Sequence, residues 1–427
     1  MGTAAGTAAE PERGKAAGGH EVRVVKPAQR PAAVRVFQTA LVALPDLDVF
    51  TPEDPHGDAY FEEGRLFGAY VGGQLVGTAD SLASWLAVPG GRRVPHTAVT
   101  AVGVLPTHTR RGLLTALMRA QLDDAVARGD VVASLRASET MIYERFGYGL
   151  ATQAGSAVVT KARARWRPTA PPGGPVRLVD PVESWDLLAR IHEALPAHQP
   201  GAMGRPATWW NQKLLRTRKR GGLTYVVVHG EEGAEDGFAR YYPDLSVDWR
   251  DEGRRTIVVN DLVAGTPAAR AGLLRHLLGL DLVDRVAIDD RPLDDPLPAA
   301  LTDHRAVQFR EIEDETWLRL LDVPAALAAR TYRGPGRVVV EVVDDLVPAN
   351  SGVYEVSQDG AARLAAASAP AADLRVDVAG LGAVYLGGTR WWQLAAAGRV
   401  EARDPAALAT ADALFATASL PYCGTRF

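Results

Sequence analysis

The sequence predicts an α+β protein made of a duplicated unit followed by a third, unrelated α+β region. Three observations carry this. The chain has 427 residues, more than one hydrophobic core usually serves, so about two or three domains are expected. Two segments recur in order: VRVVKP at 22–27 returns as VRLVDP at 176–181, and RRGLLTALM at 110–118 returns as RAGLLRHLL at 270–278. Beyond Glu311 the pattern of strands and helices matches neither copy.

The elements follow in order. Residues 1–20, MGTAAGTAAEPERGKAAGGH, read as a disordered leader rich in Ala and Gly, with no apolar segment of the kind a secretory signal carries. EVRVVKPAQRPAAVRVFQTAL is a strand, a Pro-marked turn and a helix. RLFGAYVGGQLVGTADSLASW is a strand, a Gly-Gly hairpin and a strand. HTAVTAVGVLP is a strand that runs into a loop and then a helix. The second copy repeats this as PVRLVDPVESWDLLARIHEAL, GLTYVVVHGEEGAEDGFARYYP and RRTIVVNDLVAG. TKARARWRPTAPPGGP, at 160–175, is Pro- and Gly-rich and reads as the linker. In the third region WLRLLDVPAALAARTY is a strand and a short helix. RVVVEVVDD, SGVYEVSQDG and DLRVDVAG are strands, and WWQLAAAG and PAALATADALFA are helices. The divisions are 1–20, 21–165, 166–310 and 311–427.

Composition narrows the function. A hydrophobic content of 47% with 23% charged residues is that of a globular protein. A net charge of −4 argues against nucleic-acid binding, which rests on excess Lys and Arg. No run reaches the roughly 18 apolar residues of a membrane helix. Cys423 is the only cysteine, so no internal disulfide can form, which fits a reducing, cytoplasmic compartment.

The most informative stretch is VGVLPTHTRRGLLT. Val102, Gly103 and Val104 end a strand, Pro106 breaks it, and Gly112 opens an amphipathic helix. A helix N-terminus offers unpaired N–H groups and a partial positive charge, which suit phosphate. Gly112 allows close approach to the backbone, and Arg110 and Arg111 add cationic donors. The other reading is an ordinary turn with two solvated arginines.

Here the chain resembles the GNAT N-acetyltransferases. Val-x-Val-x-Pro-x-x-x-Arg-Arg-Gly-x-Leu before a helix is similar to their acyl-CoA pyrophosphate loop. SETMIYERFGYG resembles a segment of the Eis-type (enhanced intracellular survival) members, and the terminal Phe427 matches their ending. The resemblance implies tandem GNAT domains, the second degenerate, followed by a sterol-carrier-like α+β domain. It implies acetyl-CoA as cosubstrate, no metal, and a primary amine of a small molecule (aminoglycoside, polyamine or other amine) or a lysine as acceptor. A homohexamer is the family habit.

The resemblance also assigns residues. Val102, Gly103, Val104, Arg110, Arg111, Gly112, Leu113, Leu114, Thr115, Ser138 and Glu139 would hold the cofactor. Tyr143 would be the general acid, and the α-carboxylate of Phe427 the general base. A free α-carboxyl has a pKa of about 3.5, so it is a weak base that low-dielectric surroundings would strengthen. Asp46 or Asp48, Thr100, Arg136 and Arg426 would face the acceptor. Thr109 stands where relatives usually have an arginine. Arg136 stands where they often have His, and Arg426 where they often have an acid. Two arginines there would repel a polycation unless they point to solvent. In the second copy Ala264, Thr266 and Ala271 replace Val104, Pro106 and Arg111, so it reads as a scaffold. The competing class is a non-catalytic acyl-CoA or lipid-binding protein. A structural assembly protein is a third.

Overall fold

The computed structural model describes residues 19–42, 57–196, 198–220, 223–251 and 253–427. The first copy runs β1 (His20–Val24), α1 (Arg30–Ala40), β2 (Phe67–Val71), β3 (Gln74–Ala87), β4 (Arg93–Val104), α2 (Leu113–Ala127), β5 (Val132–Leu135) and β6 (Gly149–Thr160). The second runs β7 (Val176–Val179), α3 (Trp185–Ala194), α4 (Ala207–Arg220), β8 (Tyr225–His229), β9 (Gly237–Pro243), β10 (Thr256–Ala264), α5 (Pro267–Gly279), β11 (Arg285–Arg291), α6 (Leu297–Ala300) and β12 (Val307–Leu320). The rest is α7 (Val323–Ala329), β13 (Arg337–Val343), β14 (Gly352–Ser357), β15 (Gly360–Arg363), β16 (Leu374–Asp377), α8 (Val378–Tyr385), α9 (Trp391–Ala396), β17 (Val400–Ala402) and α10 (Pro405–Phe415).

The two copies share one twelve-stranded sheet in the order β1-β2-β3-β4-β5-β12-β6-β11-β10-β9-β8-β7. Each copy gives away its last strand. β6 leaves β5 and pairs with β11, while β12 returns from the second copy to pair with β5. β12 therefore crosses Glu311, where the sequence divides the second and third regions, and belongs to the large sheet. The third region has its own five-stranded sheet, β15-β14-β13-β16-β17.

The third domain docks through α8, all of whose residues are buried. It fits because glycines face each other's backbones. A Cβ on Gly149 would lie 1.9 Å from the Ala379 carbonyl oxygen, and one on Gly382 would lie 2.3 Å from that of Leu318. A fully buried ion pair adds a fixed point, with Arg319 donating to both oxygens of Asp344 at 2.9 and 2.8 Å. Such a pair sets geometry more than it adds stability, because desolvation offsets the attraction.

The docking surface yields a stability test. Gly149→Ala forces a methyl into a backbone carbonyl, and overpacking of that kind costs about 1–3 kcal/mol. Scanning calorimetry should show a lower Tm for the variant. An unchanged Tm would mean that α8 can shift freely.

Candidate active site

The site begins where two parallel strands part. β4 pairs with β5 from His96 opposite Val132 to Val99 opposite Leu135, where β5 ends. β4 continues to Val104, and it bulges: its register against β3 shifts between Thr100 and Gly103, and Ala101 takes φ 49°. The strands thus open as a wedge, whose β4 edge carries backbone N–H and C=O groups past Thr100 with no strand across from them among the described residues.

At the foot of the wedge lies α2. Its N-cap is Gly112, in the left-handed region at φ 77°, and a Cβ there would meet nothing within 4 Å. Among the described residues no side chain caps the helix, and no acid sits in its first turn, which leaves the N–H groups of that turn without side-chain partners there. Leu113 is buried and anchors the helix; Leu114 is half-buried and Thr115 exposed. Arg110, also left-handed at φ 61°, and Arg111 are exposed. Among the described residues neither has an ion-pair partner. Gly103 is buried for a different reason: a Cβ on it would lie 2.8 Å from that of Ala40 in α1.

Tyr143 packs with Val99, Leu135, Phe146, Tyr148 and Trp317, and half-buried Val102 and Leu114 border the same cluster. Its ring meets Tyr148 edge-on at 6.3 Å. Burial pushes its hydroxyl up to about 12, so it stays protonated at neutral pH. Among the described residues no group bonds that hydroxyl. Ser138 and Glu139 are exposed between β5 and Tyr143.

Phe427 lies on the other face of the sheet. Successive strand residues point to opposite sides. Val99 and Ala133 join the Tyr143 cluster, whereas Ala98 and Val132 join the large cluster on which Phe427 packs.

The two arginines are neutralised. Arg136 donates to Glu315 at 3.1 Å and to Asp290 at 3.4 Å. Arg426 makes a two-pronged contact with Asp290, at 2.6 and 2.9 Å. Arg136 is thus paired and mostly covered, whereas Arg426, also paired, keeps 60% of its side chain exposed. The cavity beside them, about 280 Å³, is lined by six carboxylates (Asp289, Asp290, Glu311, Glu313, Asp314 and Glu315) against these two guanidiniums. Asp290 is held below the usual carboxylate range by Arg426 and Arg136, which outweigh its burial. Asp289 is pushed up to about 6, chiefly by burial. Among the described residues nothing donates a hydrogen bond to it. Asp46 and Asp48 lie outside the described residues.

Comparison with known proteins decides the family. Models of an acetyltransferase (GNAT) domain match residues 21–151 and 201–320, and a sterol carrier protein domain matches 323–424. The N-acetyltransferase Eis of Mycobacterium bovis is 38% identical over 362 residues, 82% of this chain and 85% of that one. The chain belongs to the Eis-type GNAT N-acetyltransferases. An uncharacterized N-acetyltransferase of Streptomyces avermitilis is 38% identical over 84% of this chain and 88% of its own. The crystal structure of Eis1 from Mycobacterium abscessus superposes with a TM-score of 0.86 at 46% identity, over 95% of this chain and all of that one. The family fold is thus tandem GNAT domains with a sterol-carrier-type domain, and the protein is an acetyltransferase, of the class that uses acetyl-CoA. Among the described residues no helix is long and apolar enough to cross a membrane, and no cluster of metal ligands stands together.

Sequence reading missed Asp80, Asp289, Asp290 and Glu315. Asp80 was visible as an acid amid the apolar run QLVGTADSLASW. It sits opposite Thr100 beside the bulge, 3% exposed, with its carboxylate accepting the Ser81 N–H at 2.8 Å. The others have no local signal, because their partners are far away in sequence.

Burial raises Asp80 from 3.8 to about 7. A raised acid takes up a proton on folding, so its contribution to stability falls as pH rises from about 4 and levels off above about 7. Asp80→Asn removes that loss. Its Tm should exceed wild type by a margin that widens from pH 5 to pH 8. A margin independent of pH would show that Asp80 does not titrate in this range.

Proposed function

We propose that the protein transfers the acetyl group of acetyl-CoA to a primary amine of a cationic small molecule, and that the transfer occurs through the wedge between β4 and β5. The observation that carries this is the combination of that wedge with an uncapped helix N-terminus on one face and an acidic cavity with the chain end on the other.

On the first face the pyrophosphate meets the N–H groups of Gly112 to Thr115, with Arg110 and Arg111 as cationic donors. The free edge of β4 at Val102, Gly103 and Val104 offers backbone partners to the extended arm of the cofactor. Ser138 and Glu139 border its reactive end. This sets the thioester near Tyr143. On the other face the amine approaches past Thr100. Its ammonium must lose a proton to become a nucleophile, and the Phe427 carboxylate takes that proton, directly or through one water. The nitrogen lone pair then attacks the thioester carbonyl. As the C–S bond breaks, Tyr143 donates its proton to the departing sulfur, and the nitrogen gives up its surplus proton, which returns through solvent to the tyrosine oxygen, leaving the amide and free CoA thiol. Tyr143 is fitted to this because it remains protonated and no group among the described residues engages its hydroxyl. We further propose the homohexamer that the resemblance implies, and a cytoplasmic setting.

Paired variants separate binding from turnover. Gly112→Glu puts a carboxylate in the pyrophosphate's place on a left-handed backbone, and should abolish acetyl-CoA binding in calorimetry. Tyr143→Phe should bind acetyl-CoA normally and lose about 10²–10⁴-fold in kcat. Normal binding by Gly112→Glu, or near-normal turnover by Tyr143→Phe, would refute the corresponding half.

The charge of the cavity predicts preference for amines bearing a second cation. Asp289 is ionised above about pH 6 and neutral below it. KM for a diamine should therefore rise as pH falls through 6, while KM for a matched monoamine should change less. Asp289→Asn should raise the diamine KM by about fivefold at pH 8, the worth of a half-exposed ion pair, and flatten this dependence. Equal KM values for mono- and diamines would refute the charge argument.

A further inference from the structure

The last eight residues are gripped mainly by their backbone. The Leu420 N–H bonds Asp294 at 2.7 Å, and the Tyr422 N–H bonds the Pro200 carbonyl at 2.8 Å. The N–H groups of Cys423 and Gly424 donate to the two oxygens of one carboxylate, Glu315, at 3.0 and 2.7 Å. From the opposite side Arg205 reaches the Gly424 carbonyl and the Thr425 hydroxyl, and Trp209 donates to the Arg426 carbonyl at 2.8 Å. Phe427 itself is held through its ring.

Glu315 is placed for this by an irregularity. Along β12, Asp314 pairs with Gln153 and Thr316 with Thr152, so Glu315 is an extra residue on its strand. Such bulges re-aim a side chain. Here the bulge turns a carboxylate into the sheet's interior, where it is 2% exposed. All four of its partners are donors: the two tail N–H groups, the Thr152 hydroxyl at 2.8 Å and Arg136 at 3.1 Å. Four donors converging on one group require an acceptor-only side chain, which an ionised carboxylate is and an amide is not.

We propose that Glu315 is a positioning residue that latches the C-terminal segment and thereby fixes the Phe427 carboxylate at the wedge. This rests on reading that carboxylate as the base. Chain ends fray unless tied down, and a base must lie within hydrogen-bond reach of the proton it takes. Glu315 makes the tie three residues before the carboxylate, beside Arg136 at the end of β5. The chain turns there, with Gly424 left-handed at φ 66°.

The test reads tail order and turnover separately. Carboxypeptidase A removes a C-terminal aromatic residue, so intact mass over time reports release of Phe427. Wild type should resist, and Glu315→Gln, which aims an NH2 group at donors, should release Phe427 at least about tenfold faster. In the same variant kcat should fall by on the order of 10²-fold, the cost of a misplaced group, with KM for acetyl-CoA little changed because the cofactor sits on the other face. Glu315→Asp, which keeps the charge, should recover part of both. Gly424→Ala serves if Glu315→Gln does not fold. Its Cβ would lie 2.6 Å from the Tyr422 ring and so displace the N–H from Glu315 without touching the buried charge. Release unchanged in Glu315→Gln and Gly424→Ala overturns the latch. So does a wild type that loses Phe427 as fast as a free peptide of its last eight residues. A loosened tail with unchanged kcat upholds the latch and overturns the carboxylate as base.

Discussion

The site depends on one feature of backbone pairing, the exchange of final strands between the two copies. Had β6 stayed beside β5, each copy would close its own sheet and the two would meet only through side chains. Instead β12 lies between β5 and β6, and β6 between β12 and β11. The ends of β5 and β11 are thereby brought to the same region in the middle of a continuous sheet. Arg136 follows β5, Asp290 lies near the end of β11, and Glu315 lies on β12. Their mutual contacts follow from this register, which shifts at a bulge to turn Glu315 inward. The degenerate copy thus contributes to the candidate site, supplying the last strand and the counter-charges.

The electrostatics follow from that placement. A guanidinium at the end of β5 would oppose a cationic acceptor if it stood alone. With Asp290 and Glu315 in contact it becomes an internal counter-ion, and Arg426 is paired by the same Asp290. The carboxylates left over, Asp289 among them, set the sign of the cavity. The charge of a pocket is a sum over groups that tertiary structure assembles, and at distances of a few ångströms the paired groups largely cancel.

The third domain acts on this region through its covalent continuation. α8 fixes the domain against the sheet by glycine-to-backbone contacts and a buried Arg319–Asp344 pair. Residues after α10 then run back across the second copy, held in turn at Pro200, Glu315, Arg205 and Trp209. A packed end such as LPYCGTRF is therefore legible as chemistry only with its neighbours in view.

Much of the fold was written locally. The strand–Pro–Arg-Arg-Gly–helix order of residues 102–115 is decided by short-range rules: Pro106 ends the strand, and Gly112 accepts the left-handed turn that opens α2. The duplicated VR-x-V-x-P and R-x-GLL segments marked two similar units for the same reason. Tyr143 and Phe427 were singled out as candidates only through the family resemblance of the segments that carry them. The sequence could not show which strand pairs with which, because hydrogen bonding between strands is indifferent to whose copy supplies them. It therefore could not show that Arg136 meets Asp290 and Glu315, 154 and 179 residues away. Local chemistry determined the shape of the candidate cofactor loop, and the resemblance named the candidate acid. Only the tertiary exchange of β6 and β12 decided the charge of the cavity beside Arg136 and Arg426, since burial and counter-ions belong to the assembled fold.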